Sequence, residues 1–167
     1  AAAIKYTVGN DAYGYSGFGD VFVFIFFGLV AVIGSNFLYS KSMDIKLFLP
    51  AISIGMLSTA VLNLNNMRDV ENDKISNKNT LVVKKGLKWA KNYHHFLILF
   101  SFVCFFVFSL SVDKKILPSL IIFIFFLKHL EKVRKSEKHE DFDPELKKVA
   151  LGTFALSILI WISFLYS

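Results

Sequence analysis

The chain has 167 residues, 54% of them hydrophobic and nineteen of them phenylalanine, with a formal net charge of +6. That composition excludes a soluble domain or a disordered tail and points to a bilayer, where runs of about 17 to 25 apolar residues read as spanning helices. A single cysteine, Cys104, lies within an apolar run and excludes a disulfide framework or a cysteine metal centre. The positive charge does not point to nucleic acid, because the bases fall in loops between the apolar runs.

Those runs predict an all-α, multi-pass transmembrane bundle in one membrane domain covering 1–167, with five spans at about residues 21–39, 47–69, 90–112, 116–132 and 145–166. Ahead of the first span, residues 6–19 are rich in glycine and tyrosine, a composition of turns and interfacial anchors. Asp20 is placed to cap the helix that follows, and Asn36 interrupts its far end. Residues 40–46 read as a short outer loop. Pro50 falls in the first turn of the second span, where a missing amide proton costs little.

Beyond the second span, residues 74–80 are polar without a helical period and read as a loop, while Leu81, Val82 and Val83 are too few to span. Gly86 is expected to break the chain before a helix that starts near Leu87. Trp89 and Tyr93 fit an interfacial aromatic belt. His94 and His95 are adjacent and so point to different faces, and the lack of HxxxH spacing or a third ligand argues against a metal role. Asp113, Lys114 and Lys115 turn the chain. The fourth run is short and has Pro118 near its start, so it spans by tilting, by outward snorkelling of Lys128, or as part of a tight hairpin. Residues 129–143 read as a solvated, charged helix end near headgroups. Asp143 and Pro144 then supply the cap and first position of the last helix, which ends near Trp161 and Tyr166.

If five spans alternate in direction, all but Lys41, Lys46, Lys114 and Lys115 of the 19 lysines and arginines fall on one side. The positive-inside rule makes that side cytoplasmic, with the C-terminus outside. The chain lacks an initiator methionine and a recognisable signal peptide, so it is expected to be part of something longer.

The second span runs straight into Asn65-Asn66-Met67-Arg68-Asp69-Val70-Glu71-Asn72-Asp73. On a regular helix Asn65, Asp69, Asp73 and Asn66 lie within about 100° of arc, so four oxygen-bearing side chains can converge on one ligand. Carboxylates beside neutral amides suit a hard cation such as Mg²⁺, which commonly bridges acids to substrate phosphates. Lys74, Lys78, Lys84 and Lys85 supply positive charge for those phosphates. Arg68 lies off the acid face, which leaves open a phosphate contact or a pairing with Glu71 or Asp73. The same face carries Leu62, Thr59, Ser58 and Gly55 back into the membrane, where small residues leave room for a ligand's tail or for close helix packing.

The 65–73 stretch, followed by Asn77-Lys78-Asn79-Thr80-Leu81-Val82-Val83, resembles the second aspartate-rich motif of the UbiA superfamily of intramembrane prenyltransferases. Within it, the motif is most similar to that of members acting on 1,4-dihydroxy-2-naphthoate. The flanks around Tyr6, residues 22–32 and 143–146 are similar as well. Asn77 stands where the family usually has glycine, and Asn10-Asp11 where it often has glycine and proline. The resemblance implies the second half of a fold of about nine membrane spans, with a first motif, NxxxDxxxD, that this sequence does not contain.

It also implies an enzyme that moves a polyprenyl group from polyprenyl diphosphate to an aromatic acceptor. Asp69, Asp73 and Asn65 would then hold Mg²⁺, and Asn65, Asn66, Arg68, Lys74, Lys78 and Tyr6 would bind substrate. The expected setting is the cytoplasmic face of the inner membrane, with the missing N-terminal half as a partner. The alternatives are a superfamily member with another acceptor (hydroxybenzoate, haem or a glyceryl phosphate), a nonenzymatic cation-binding bundle or transporter, and a fragment inactive by itself.

Overall fold

The computed structural model describes residues 17–165, which contain no strand. Helix α1 runs Gly19–Ser40, and its middle, Phe24–Gly34, is wound as a π-helix. Lys41 turns the chain in the left-handed region at φ 54°. A 3-10 turn over Ile45–Leu47, capped by the Asp44 carboxylate accepting from Lys46 N–H at 2.9 Å, leads into α2, Phe48–Arg68. There follow α3 (Val70–Ile75), α4 (Leu81–Lys85), α5 (Leu87–Ser111), α6 (Ile121–Lys135) and α7 (Phe142–Leu165). Gly86, at φ 85°, separates α4 from α5, as its place in the sequence suggests.

Among the described residues four helical stretches, Gly19–Ser40, Ile45–Arg68, Leu87–Ser111 and His139–Leu165, are long and apolar enough to cross a membrane. The run expected at 116–132 is built differently: Lys114–Leu120 is a 3-10 helix containing Pro118, and α6 adds 15 residues. This run is not among the helices long and apolar enough to cross a membrane.

Helix α2 is the hub, packing on α5, α1 and α7. Its buried Leu57, Ala60, Leu64 and Met67 join Leu97, Ile98 and Phe105 of α5 and Val149 and Leu156 of α7 in one core. From α6 come Phe123 and Phe126, edge-on to each other at 5.5 Å, with Phe123 also edge-on to Phe102 at 5.2 Å. Hydroxyls lock α2 to α5: Ser53 donates to the Ser101 carbonyl at 3.0 Å and Ser101 to that of Ser53 at 3.1 Å. Phe26, Phe27 and Val30 of α1 and Leu151, Phe154 and Trp161 of α7 are exposed instead, which suits contact with lipid tails.

The α1 and α2 backbones touch. A Cβ added at Gly28 would stand 2.6 Å from the Ala51 carbonyl oxygen and 2.6 Å from Gly55 Cα, and one at Gly55 would stand 2.8 Å from the Phe24 ring. Gly28→Ala is therefore expected to prise the helices apart and destabilise the bundle by about 1–3 kcal/mol. Gly34→Ala, whose nearest contact would be 3.9 Å away, should cost little. Thermal unfolding of both variants in detergent checks this, and equal behaviour would count against the tight contact.

A polar chain crosses the opposite side of the core. The Glu145 carboxylate of α7 accepts from His129 Nδ1–H of α6 at 2.7 Å, and His129 Nε2 lies 2.7 Å from His94 Nε2 of α5. With Nδ1 donating to Glu145, a neutral His129 presents Nε2 as an acceptor, so His94 Nε2–H donates to it. All three side chains are buried, and Lys148 closes the chain toward the surface at 2.6 Å from the other Glu145 oxygen.

Two helix starts differ from expectation. Helix α1 begins at Gly19 after Phe18, so Asp20 falls inside the first turn, where it is buried rather than capping. Helix α7 begins at Phe142, and the Asp143 carboxylate is taken by Arg68 at 2.9 Å and Lys147 at 2.7 Å. A cation is a stronger partner for a carboxylate than a backbone amide.

Candidate functional site

Helix α2 ends at Arg68 because Asp69 leaves helical geometry, at φ −96° and ψ 7°. The backbone ladder still continues, from Asp69 N–H to the Asn65 carbonyl at 2.9 Å and from Asp73 N–H to the Asp69 carbonyl at 2.8 Å. Thus α3 follows α2 with an offset, not as one uniform helix. The offset sends the two acids to different partners.

Asp69 faces the outer side. Arg68 grips it with both edges of its fork, Nε to Oδ1 at 2.8 Å and Nη2 to Oδ2 at 2.9 Å. Nη2 also donates to Asn65 Oδ1 at 2.8 Å, and Nη1 to Asp143 Oδ1 at 2.9 Å. Arg68 therefore pairs with neither Glu71 nor Asp73. Glu71 is instead 2.9 Å from Lys74 at the exposed edge, which turns Lys74 toward solvent. The Arg68 guanidinium holds the Asp69 carboxyl below the usual carboxylate range; partial burial opposes this, and the Lys78 charge adds to it. A carboxyl depressed in the folded state contributes stability above its unfolded pKa, about 3.9, and that contribution is lost as pH falls through the folded value. On acidification Asp69 is expected to titrate below an ordinary aspartate, read by carboxyl NMR. Arg68→Gln should return its titration to the ordinary range.

Asp73 faces inward. It is 6% exposed, Lys78 Nζ lies 3.1 Å from its Oδ1, and its Oδ2 has no hydrogen-bond partner. Asn66 is also buried, with Oδ1 likewise unpartnered. The turn after α3 brings Lys78 back: Asn77 adopts φ 53°, and Lys78 N–H donates to the Asp73 carbonyl at 2.8 Å. Asparagine is among the few non-glycine residues that take left-handed geometry readily, which accounts for Asn77 at a position where glycine is usual. Thr80 then caps α4, its hydroxyl accepting from Val83 N–H at 3.3 Å.

Two cavities meet this cluster. A groove of ≈ 440 Å³ between α1, α2 and α7 is lined by Val23, Phe27, Ser58, Leu62, Leu146 and Ala150, with Asn65 among its polar residues. On the other side of Leu62, a cavity of ≈ 20 Å³ is lined by Asp20, Asn66, Lys78, Thr80, Gly17 and Gly19. The small-residue face of α2 serves both purposes weighed above: Gly55 packs against Phe24, and Ser58 lines the groove.

Among the described residues no three His, Cys, Asp or Glu side chains form a group that could hold a metal. A hard cation would therefore draw on amide and phosphate oxygens as well as carboxylates, as Mg²⁺ commonly does. The buried, unpartnered Asn66 Oδ1 and Asp73 Oδ2 fit such an ion, whereas the Asn65 and Asp69 oxygens are engaged by Arg68. Tyr6 lies outside the described residues. Sequence reasoning did not assign a site role to Asp20, Tyr93 or Asp143; an ionisable residue at the edge of an apolar run, as Asp20 is, was the available signal.

A membrane bundle of apolar helices, with acids, amides and bases gathered at one end of its central helix, defines the class. The chain belongs to the UbiA prenyltransferase family, whose model matches residues 1–151. Among curated relatives it is 50% identical over 109 residues to the 1,4-dihydroxy-2-naphthoate octaprenyltransferase of Escherichia coli (strain K12), covering 65% of this chain and 35% of that protein. It is 38% identical over 160 residues to the enzyme of the same name from Haemophilus influenzae, covering 95% and 52%, and 32% identical over 160 residues to that of Mycobacterium leprae, covering 96% and 54%. The chain thus spans about half the length of the curated relatives it matches along its whole extent. No solved structure matches it.

Proposed function

We propose that this chain is part of a prenyltransferase that moves a polyprenyl group from polyprenyl diphosphate to 1,4-dihydroxy-2-naphthoate with Mg²⁺, at the cytoplasmic face of the inner membrane. One observation carries the reading: the apolar groove between Phe27 and Leu146 reaches Asn65, which hydrogen-bonds Arg68 of the charged cluster. A substrate with a long hydrocarbon tail and a multiply charged head needs those two environments side by side. The names of the relatives support the acceptor, and the crowding of lysine and arginine on one side supports the orientation.

In the reaction the allylic carbon–oxygen bond breaks, the prenyl carbon bonds to the ring, and the ring carboxylate leaves as carbon dioxide. Lys78 and Arg68 supply positive charge for the diphosphate, and Lys74 adds to the field from the exposed edge. Asp73 and Asn66 offer oxygens to the cation, and Asp69 and Asn65 would join them where the diphosphate displaces their oxygens from the Arg68 guanidinium. Mg²⁺ bound there would offset the charge that develops on the leaving group. The groove walls, Val23, Phe27 and Leu62, keep water from the allylic carbon. The family resemblance implies a second acidic motif facing this one, so the activity belongs to the protein that contains both.

The test is an assay of the full-length protein with polyprenyl diphosphate, Mg²⁺ and either dihydroxynaphthoate or hydroxybenzoate. Demethylmenaquinol, read as demethylmenaquinone after air oxidation, is expected to form only with dihydroxynaphthoate. Equal turnover of hydroxybenzoate would reassign the acceptor.

A further inference from the structure

We infer that His94 of α5 and His129 of α6 form a proton-operated fastener behind the apolar groove, closed while both rings are neutral and released as they take up protons. Their Nε2 atoms stand 2.7 Å apart, a contact that holds one proton and no more. His129 Nδ1–H is committed to the Glu145 carboxylate at 2.7 Å, and the other Glu145 oxygen is 2.6 Å from Lys148 Nζ. Each contact along the chain thus has its proton, and the one ring nitrogen still able to accept is His94 Nδ1, buried without a partner.

The closed chain has no good place for a further proton. With both rings charged, two N–H donors would face each other at hydrogen-bond distance. A proton taken at His94 Nδ1, or passed to His129 with the ring-to-ring bond reversed, leaves a buried N–H without an acceptor and adds positive charge to the core. The surroundings do little to offset that charge. Besides Glu145, the charged or titratable groups near the rings are Lys148 of α7 and His95 of α5, while α2 brings the backbone at Ala60 and Phe126 of α6 stands edge-on to His129 at 6.4 Å. Glu145 is already matched by Lys148.

The rings therefore become imidazolium only after they part, and acid favours the opened form. The contribution of the chain is fully present above the ordinary histidine pKa of about 6.5 and is lost as pH falls below it. What opens is the seam of α5, α6 and α7, and Leu146, next to Glu145, belongs to the groove wall. The fastener stands without the proposed reaction; only its consequence for the groove rests on that reading.

The experiment is hydrogen exchange of the full-length protein in lipid nanodiscs without substrate, corrected for the pH dependence of intrinsic exchange. From about pH 7.5 to about pH 5.5 the opening of α6 should rise about 100-fold in wild type, the response of two ordinary histidines freed on opening. It should rise only about tenfold in His94→Gln, whose amide keeps a donor for His129 Nε2 but takes no proton. Helix α1 should change less than about threefold. His95→Gln, which alters a ring held on the Lys91 carbonyl, should keep the wild-type response.

A wild type that opens no more on acidification than His94→Gln would overturn the inference. So would a response abolished by His95→Gln, or equal opening of α1, the mark of general unfolding. If His94→Gln does not fold, imidazole nitrogen NMR of the wild type decides: two neutral rings in the packed form at about pH 5.5 support the fastener, and an imidazolium there overturns it. Failure of prenyl transfer to dihydroxynaphthoate would leave these results standing, and an α6 indifferent to acid would leave the prenyl-transfer reading intact.

Discussion

Asp73→Asn in the full-length protein is expected to lower kcat for prenyl transfer by about 10²–10³-fold, roughly 3–4 kcal/mol of transition-state stabilisation. The substitution keeps the side chain's shape and removes its charge. Asp73 is buried, Lys78 occupies one of its oxygens and the other is unpartnered, so the charge lost is one that solvent cannot replace. Lys78 would then be left against a neutral amide. Asp69→Asn is expected to act partly through Arg68, whose fork would lose its bidentate partner while keeping Asp143 and Asn65. Its signature should be a raised KM alongside a lowered kcat. Activity of Asp73→Asn within about threefold of wild type, in a protein that unfolds normally, would remove Asp73 from the reaction.

The largest stability effect is expected at Glu145. Glu145→Ala leaves His129 Nδ1–H without an acceptor in the core and removes the partner of the more exposed Lys148; a buried donor left unsatisfied costs about 1–3 kcal/mol, to which the cavity left by the side chain adds. Glu145→Gln keeps an acceptor for His129 and gives up only the charge, so it should cost distinctly less. His129→Ala should resemble Glu145→Ala because it severs the chain in its middle, leaving His94 Nε2 and Glu145 Oε2 unpaired in the core. The measurement is thermal or denaturant unfolding in a fixed detergent. Equal stability of Glu145→Ala and wild type would show that the chain does not fasten α5, α6 and α7 together.

The fold class and the place of the polar cluster are legible in the sequence because both follow from composition along short stretches. Apolar runs mark the helices, and the abrupt change after Leu64 marks the polar end of α2. The wheel places Asn65, Asp69 and Asp73 on one face by assuming uniform winding, and the break at Asp69 undoes that assumption. No periodicity shows the break, because a single residue at φ −96° leaves the hydrogen-bond ladder intact. Arg68 with Asp143, Ser53 with Ser101 and His94 with His129 pair across different elements, so tertiary packing decides them. Local spacing reads only what lies within a turn or two. The adjacency of His94 and His95 argued against a metal, and the structure gives His94 another occupation, as the inner end of the chain to Glu145.

Arg68 has its Nη1 on Asp143 of α7, while its Nε and Nη2 hold Asp69. An incoming anion that competes for the Asp69 side of this fork meets a guanidinium already aimed and anchored from behind. The arginine can change customers without swinging its side chain, and the join between the second and last long helices survives the exchange. Release of the anion lets Asp69 close again, returning the cluster to a neutralised resting state with little rearrangement.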